Sequence, residues 1–295
     1  MITNKLSQYL HHQQAPEILI RFPRLLFMYY WFNRIMVLRT WYVRRIFRKI
    51  LASNPSPRNI LDVGCGMGDF MFSIPELRPT DSVTGIDLSF SNIQLCKQLA
   101  ESLGKNNYSF FQDNLSESAF PDQQDIILCS AVLMYIEDDV ALLKKFRNSL
   151  SEKGKLILYV PVNYRRFLSF YKNLSKKNGF DYDEMIGRPH TYTDESIVQR
   201  IHAAGFVIEE QQYSFGRLAS IMFEISALFE WYFKTQHVLF SIPLFPLYFV
   251  FLPINMISMG IDYIGKRTTG NGCIIVAKKI TPHEKNKSDN TNSRR

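Results

Sequence analysis

The residues with the clearest chemical meaning are three glycines that alternate along one short turn: Gly64, Gly66 and Gly68. The turn directly follows residues 60–63, an apolar run that is typical of a buried strand. Glycine lets the backbone approach a nucleotide-like ligand, because no Cβ stands in the way. In α/β sheets such ligands bind beyond the carboxyl end of the first strand. We therefore expect a ligand site at this turn.

An acidic residue follows at a suitable distance from the turn. Asp87 ends a second strand-like run, residues 82–86, about 20 residues beyond the glycines, where a carboxylate can accept hydrogen bonds from ribose hydroxyls. The glycine spacing is Gly-x-Gly-x-Gly, whereas dinucleotide sites use Gly-x-Gly-x-x-Gly to place a pyrophosphate on a helix N-terminus. A nucleotide-dependent oxidoreductase is therefore a disfavoured alternative, and the larger second domain expected of one is also missing.

These residues resemble the class I S-adenosylmethionine-dependent methyltransferases, in particular the small-molecule group called type 11 or 12. The resemblance covers residues 58–214 and a closing strand near Gly272. It implies S-adenosyl-L-methionine as cofactor, with the segment 62–68 around the methionine moiety and Asp87 on the ribose. An acid at the position of Asp113 contacts the adenine amine in this family. The cofactor-binding residues implied by the resemblance are Asp62, Gly64, Gly66, Gly68, Asp87 and Asp113.

His190 is our candidate catalytic residue. Methyl transfer requires alignment of the nucleophile with an already activated methyl group and removal of water from the pair. An oxygen nucleophile also benefits from a general base, and imidazole titrates near neutral pH. The segment after the fifth strand faces the cofactor pocket in this family, which implies that His190 lies there. The alternative is a histidine that only braces its loop.

The segment after the fourth strand bears on the acceptor. Residues 125–136 look like the family's fourth strand and turn, but many relatives have a histidine where Met134 or Tyr135 stands. Methyltransferases that act on exocyclic amines of bases would show Asn or Asp followed by Pro-Pro. This chain instead has Cys129, Ser130 and Ala131 there, so base methylation is not expected.

The elements that must position these residues alternate between strand and helix patterns. This alternation predicts an α/β fold, a Rossmann-like and mostly parallel sheet with helices on both faces. The predicted strands are 60–63, 82–86, 108–111, 125–129, 155–160, 206–212 and 272–278. The predicted helices are 92–103, 139–150 and 195–204, with Thr193 opening the last and Gly104 and Gly205 ending two of them.

The N-terminal extension carries the excess positive charge. Residues 1–50 hold nine Lys and Arg side chains against one acid, Glu17, so this segment alone accounts for the net charge of +8. A helical wheel of residues 34–50 predicts a basic amphipathic helix, with Arg39 a misfit on its apolar side. Such a helix lies on a membrane surface or caps the catalytic domain with a solvated basic face. Localised charge does not favour nucleic acid as partner.

An apolar helical insertion precedes the last strand. Residues 238–261 carry no charge across 24 positions, which meets the length criterion for a membrane span. Pro243, Pro246 and Pro253 are expected to interrupt a helix here. A single crossing would separate the final strand from its sheet. The insertion is therefore expected to be a lid of the pocket or a re-entrant or interfacial hairpin.

The sequence thus predicts five segments: a basic helical extension (1–57), a catalytic core (58–215), the insertion (216–266), a final strand (267–280) and a disordered tail (281–295). Four cysteines without CxxC spacing indicate reduced thiols, and no metal site is expected. We expect O-methylation, favoured over C-methylation, of a small hydrophobic or lipid-like acceptor. The alternative is a catalytically silent scaffold at the membrane. The expected location is the cytoplasm, free or peripheral on the inner face of the membrane.

Overall fold

A computed structural model of the chain describes residues 14–53, 58–74, 76–163, 165–169, 191–235 and 242–280. Its centre is a seven-stranded sheet in the order β3-β2-β1-β4-β5-β7-β6. The strands are β1 (Asn59–Val63), β2 (Ser82–Asp87), β3 (Tyr108–Gln112), β4 (Gln124–Ser130), β5 (Leu150–Pro161), β6 (Phe206–Ser214) and β7 (Gly272–Lys279). The first five pair in parallel, and β7 runs antiparallel to β5 and β6. The predicted α/β class is confirmed.

Helices surround the sheet. They are α1 (Glu17–Arg21), α2 (Leu26–Met36), α3 (Leu38–Ser53), α4 (Asp69–Ser73), α5 (Phe90–Ser102), α6 (Asp139–Ser149), α7 (Asp194–Ala203), α8 (Arg217–Thr235) and α9 (Phe245–Ile264). The predicted end signals are confirmed, since Gly104 and Gly205 have positive φ and the Thr193 hydroxyl accepts the Ser196 N–H.

The strand periodicity of two divides the core between the two faces of the sheet. Ile60, together with alternate residues of β4, β5 and β7, packs under α3 and α5. Leu61 and its neighbours in phase pack under α6 and α7 on the opposite face. Helices therefore cover both faces, which explains why the central strands are almost continuously apolar.

The single helix predicted over residues 34–50 was wrong, because Val37 adopts an extended backbone conformation and separates α2 from α3. Leu38 and Phe47 of α3 are buried against the sheet. The extension therefore forms a layer of the catalytic core.

The basic face of α3 is also not a simple solvated face. Arg44 is buried and donates to the Ser73 hydroxyl and carbonyl. Arg45 donates to Gln212 Oε1 at 2.6 Å and lies over the ring of Tyr263. The last two cations of the helix form ion pairs, Arg48 with Glu76 and Lys49 with Glu210. These contacts hold the basic side of α3 against the domain.

The insertion forms a hairpin of two long helices, α8 and α9. The expectation that prolines interrupt a helix here was wrong for α9. Pro246 lies in its first turn, where a missing N–H costs no hydrogen bond, and Pro253 lies inside it on an exposed side. The hairpin leaves the sheet after Ser214 and returns at Gly272, and these two residues are paired. Gly272 also pairs with Pro161 at the carboxyl end of β5. The hairpin is therefore rooted at the carboxyl edge of the sheet.

Candidate cofactor and active site

The glycine turn follows β1 directly and is tied to β2. The N–H groups of Gly64 and Cys65 donate to the Ile86 carbonyl at 2.7 and 3.0 Å. All three glycines have positive φ, between 54° and 80°, which disfavours L side chains. A Cβ on Gly64 would lie 2.2 Å from a methyl group of Val132, whereas a Cβ on Gly66 would meet no atom within 4 Å. Gly66 thus faces open space at the site where a ligand is expected.

Asp87 lies at the carboxyl end of β2 beside this turn. Its carboxylate accepts the N–H groups of Gly66 and Ser89, both at 2.9 Å, and the side-chain amide of Asn92 at 3.4 Å. Burial raises the pKa of Asp87, while these hydrogen bonds act in the opposite direction. The carboxylate therefore fixes the turn and still borders the cavity with acceptor capacity for hydroxyl groups.

Asp62 is the most perturbed acid of the site. It lies in β1, is 2% exposed, and its Oδ2 atom is buried without a hydrogen-bond partner. Burial raises its pKa to about 8, and the nearby carboxylates of Asp87 and Asp69 add to the effect. A buried acceptor without a donor is costly unless a ligand completes it. An ammonium group in the cavity would satisfy Oδ2 and stabilise the ionised form of Asp62.

The roles predicted for the other two site residues, Asp113 and His190, stay predictions for different reasons. Asp113 follows β3, and its N–H donates to the Asp87 carbonyl at 3.1 Å, but its exposed side chain accepts the Asn114 N–H and is not among the residues that line the cavity. Its contact with adenine stays a prediction. His190 lies outside the described residues, so its role as a base also stays a prediction.

The N-terminal helices contribute residues that sequence reasoning missed. Tyr29 and Asn33 of α2 and Arg39 of α3 line the cavity opposite the glycine turn. The Tyr30 hydroxyl donates to the Met67 carbonyl at 2.5 Å, which docks α2 on the turn. Arg39 also lies over the ring of Tyr159 at 5.9 Å. Its place on the apolar side of the helical wheel was the available signal, because a charge there needs a polar site to face.

The end of β4 closes the cavity on another side. The Ser130 hydroxyl is buried without a hydrogen-bond partner, and Ala131 has a φ of 60°. The Ala131 N–H donates to the Tyr159 carbonyl at 2.9 Å, which holds this unusual conformation. A non-glycine residue in the left-handed region costs about 1–3 kcal/mol and is concentrated at functional sites.

Together these elements enclose a cavity of about 150 Å³. Its lining residues are Tyr29, Asn33, Arg39, Asp62, Gly64, Cys65, Gly66, Met67, Asp69, Phe70, Asp87, Asn92, Ser130, Ala131 and Val132. The cavity offers three carboxylates and one guanidinium: Asp62, whose Oδ2 atom has no hydrogen-bond donor, Asp87 beside Gly66, Asp69, and Arg39. These hydrogen-bonding groups fit an amino-acid nucleoside. Its ammonium and hydroxyl groups need acceptors such as the carboxylates, and its carboxylate needs a donor such as the guanidinium.

Comparison with known proteins identifies the family of this chain. A family model described as "Methyltransferase domain" matches residues 56–204, half of the chain. Trans-aconitate 2-methyltransferase of Rhodopseudomonas palustris (strain BisB5) is 30% identical over 118 residues, which are 39% of this chain and 44% of that protein. Demethylmenaquinone methyltransferase of Lactococcus lactis subsp. lactis (strain IL1403) is 25% identical over 179 residues, 55% of this chain and 71% of that protein.

Solved structures share the fold. An O-methyltransferase from a trans-AT polyketide synthase multienzyme of Brevibacillus brevis, in complex with S-adenosyl-L-homocysteine, superposes with a TM-score of 0.52 at 20% identity. The match covers 85% of this chain and 80% of that one. The family match and the hydrogen-bonding groups of the cavity agree. The chain belongs to the methyltransferase-domain family and is a class I methyltransferase that depends on S-adenosyl-L-methionine.

Proposed function

We propose that this enzyme methylates an oxygen atom of a small hydrophobic or lipid-like acceptor. The observation that carries the proposal is the place of the apolar hairpin. Its root, at Ser214 and Gly272, lies at the carboxyl edge of the sheet, and the cofactor cavity lies beyond the carboxyl ends of β1, β2 and β4 at that same edge. An apolar acceptor held along the hairpin would reach the reaction centre from this side.

A second cavity, of about 200 Å³, supports an amphiphilic acceptor. It lies at the root of the hairpin and is lined by Asn163, Arg165, Phe167, Phe215, Gly216, Arg217, Thr269, Gly270 and Asn271. Two guanidinium groups beside an apolar hairpin suit a molecule with a polar or anionic head and an apolar body. The two relatives described above are named for different acceptors, trans-aconitate and demethylmenaquinone, so the proposal rests on this chain's own geometry.

We propose the following chemical roles for the residues of the site. S-adenosyl-L-methionine, when bound, supplies an electrophilic methyl group. Asp62 would hold the ammonium group and Asp87 the ribose hydroxyls, while Gly66 would allow close approach of the backbone. His190 is the candidate base that removes the proton of an acceptor hydroxyl.

Labelled cofactor tests this proposal. The enzyme is incubated with S-adenosyl-L-methionine carrying a radioactive methyl group and with an organic-solvent extract of cells, and Asp87→Ala serves as the inactive control. We expect label in the organic phase, and mild alkali or ether-cleaving conditions then distinguish methyl esters and ethers from carbon-bound methyl. Label that stays in the aqueous phase would overturn the hydrophobic acceptor. Label that resists both treatments would overturn O-methylation.

The family match disfavours the alternative of a catalytically silent scaffold at the membrane, and formation of S-adenosyl-L-homocysteine with an acceptor excludes it. We also propose a cytoplasmic location. All four cysteines lie in described segments and are buried and unpaired, which suits a reducing compartment.

A further inference from the structure

The outer helix of the hairpin, α9, exposes aliphatic side chains and buries polar ones. This distribution is the reverse of that in a helix of a water-soluble domain. Six aliphatic side chains form a straight stripe along its outer side, each between 51% and 85% exposed. They are Leu247, Val250, Ile254, Ile257, Ile261 and Ile264. Their spacing alternates between three and four residues, so they share one face of the helix.

The inner side of α9 carries the polar residues. Asn255, Ser258 and Asp262 are 7% exposed or less. Asp262 accepts the Tyr42 hydroxyl at 2.9 Å and the N–H groups of Phe215 and Gly216 at 3.2 and 2.7 Å. The helix is thus held to the catalytic core by its polar side. In water the opposite arrangement is the stable one, because burial of apolar surface drives folding.

The partner helix α8 follows the same pattern. Glu224 is 2% exposed and accepts the N–H groups of Phe167 and Leu168 at 2.7 and 2.8 Å. Ser220 is also buried on this inner side and donates to the Phe215 carbonyl. Both helices therefore place polar groups against the protein, where Asp262, Glu224 and Ser220 are hydrogen-bonded, and α9 presents an aliphatic surface outward.

The dimensions of the stripe match the thickness of a lipid bilayer. From Leu247 to Ile264 it extends about 26 Å at about 1.5 Å per residue, and the hydrocarbon core of a bilayer is about 30 Å thick. The helical segment Ile242–Ile264 meets the length and composition criterion for a membrane span, yet only 22% of it is buried, unlike the core helix of a soluble domain. The cations Lys266 and Arg267 follow directly, at the root.

We infer that the stripe of α9 is a membrane-insertion surface, and that its occupant is the hydrocarbon of a lipid bilayer. Ser214 and Gly272, at the two ends of the hairpin, are paired in one sheet. The hairpin therefore enters and leaves the bilayer from the side on which the catalytic domain lies. This surface binds lipid through aliphatic contacts, unlike the paired cations of α3, and it does not depend on which acceptor is methylated.

Vesicle flotation tests the inference. The wild-type protein should float with phosphatidylcholine vesicles and should stay bound at about 0.5 M salt, where exposed charges are largely screened. The variant Ile254→Gln, Ile257→Gln and Ile261→Gln should float at least about tenfold less, since it loses three large aliphatic contacts. A matched variant that removes three exposed apolar side chains elsewhere, Phe90→Gln, Leu103→Gln and Phe111→Gln, should float like the wild type.

A single label gives the second measurement. Because the four native cysteines are buried, Ile257→Cys can be labelled selectively with an environment-sensitive fluorophore. Its emission should shift to the blue when vesicles are added, whereas the same label at Leu103→Cys should not respond. A shift that appears without vesicles and grows with protein concentration would show that a second copy of the chain covers the stripe. That result, or equal flotation of the two triple variants, would overturn the inference. Far-UV circular dichroism reports the folding of each variant separately, so loss of S-adenosyl-L-homocysteine binding by a folded variant would concern the cofactor site alone.

Discussion

The buried carboxyl group of Asp62 should make the ligand-free enzyme less stable as pH rises. Its pKa is raised from 3.8 to about 8 in the folded chain, mainly by burial. Between these values the folded state binds more protons than the unfolded state, so the free energy of unfolding falls as pH increases. Below about pH 4 the group is protonated in both states and has no effect. At pH 7 the loss reaches about 4 kcal/mol as an upper limit, at about 1.4 kcal/mol per pH unit.

Asp62→Asn removes this dependence while keeping the shape of the side chain. The Oδ2 atom that becomes an amide has no hydrogen-bond partner to lose. We expect the variant to gain stability over the wild type as pH rises from 5 to 8, by up to about 1.4 kcal/mol per pH unit. The same variant should bind S-adenosyl-L-homocysteine at least about tenfold more weakly, because it cannot form a charge-assisted hydrogen bond worth about 1.5–3 kcal/mol.

Urea denaturation at pH 5, 6, 7 and 8 without ligand measures the first effect, and calorimetric titration measures the second. Asp122→Asn is the matched control, since this exposed carboxylate lies outside the cavity, and its stability should stay within about 0.5 kcal/mol of the wild type. A stability difference for Asp62→Asn that does not change with pH would refute the assigned effect of burial. Unchanged ligand affinity would refute its contact with the ammonium group.

Three further predictions concern Asp87, His190 and the glycine turn. Asp87→Ala should weaken binding of S-adenosyl-L-homocysteine in calorimetry by at least about tenfold, since it removes charge-assisted hydrogen bonds worth about 1.5–3 kcal/mol; unchanged affinity would contradict the ribose assignment. His190→Ala should leave that affinity within about threefold but lower turnover by about 10²-fold, and unchanged turnover would leave His190 as a brace. Gly64→Ala should lower the melting temperature more than Gly66→Ala, because only the former places a Cβ against Val132; equal melting temperatures would contradict this.

Local patterns in the sequence predicted most of the catalytic core. Strand and helix periodicity predicted all seven strands and three of the helices to within a few residues at most ends, apart from the longer N-terminal part of β5. The glycine turn and Asp87 also come together as expected, because the carboxyl ends of neighbouring parallel strands meet at one edge. Both features depend on residues close in sequence or on a rule of sheet topology.

Tertiary structure decided what lies opposite the glycine turn and which way each amphipathic face points. Arg39 lines the cofactor cavity and Arg44 is buried on Ser73, although a helical wheel assigns the first to an apolar side and the second to a solvated one. A wheel reports only which residues share a face, since the neighbour that each face meets comes from distant parts of the chain. For the same reason composition revealed the apolar insertion, but only the buried Asn255 and Asp262 show that its polar side faces the protein.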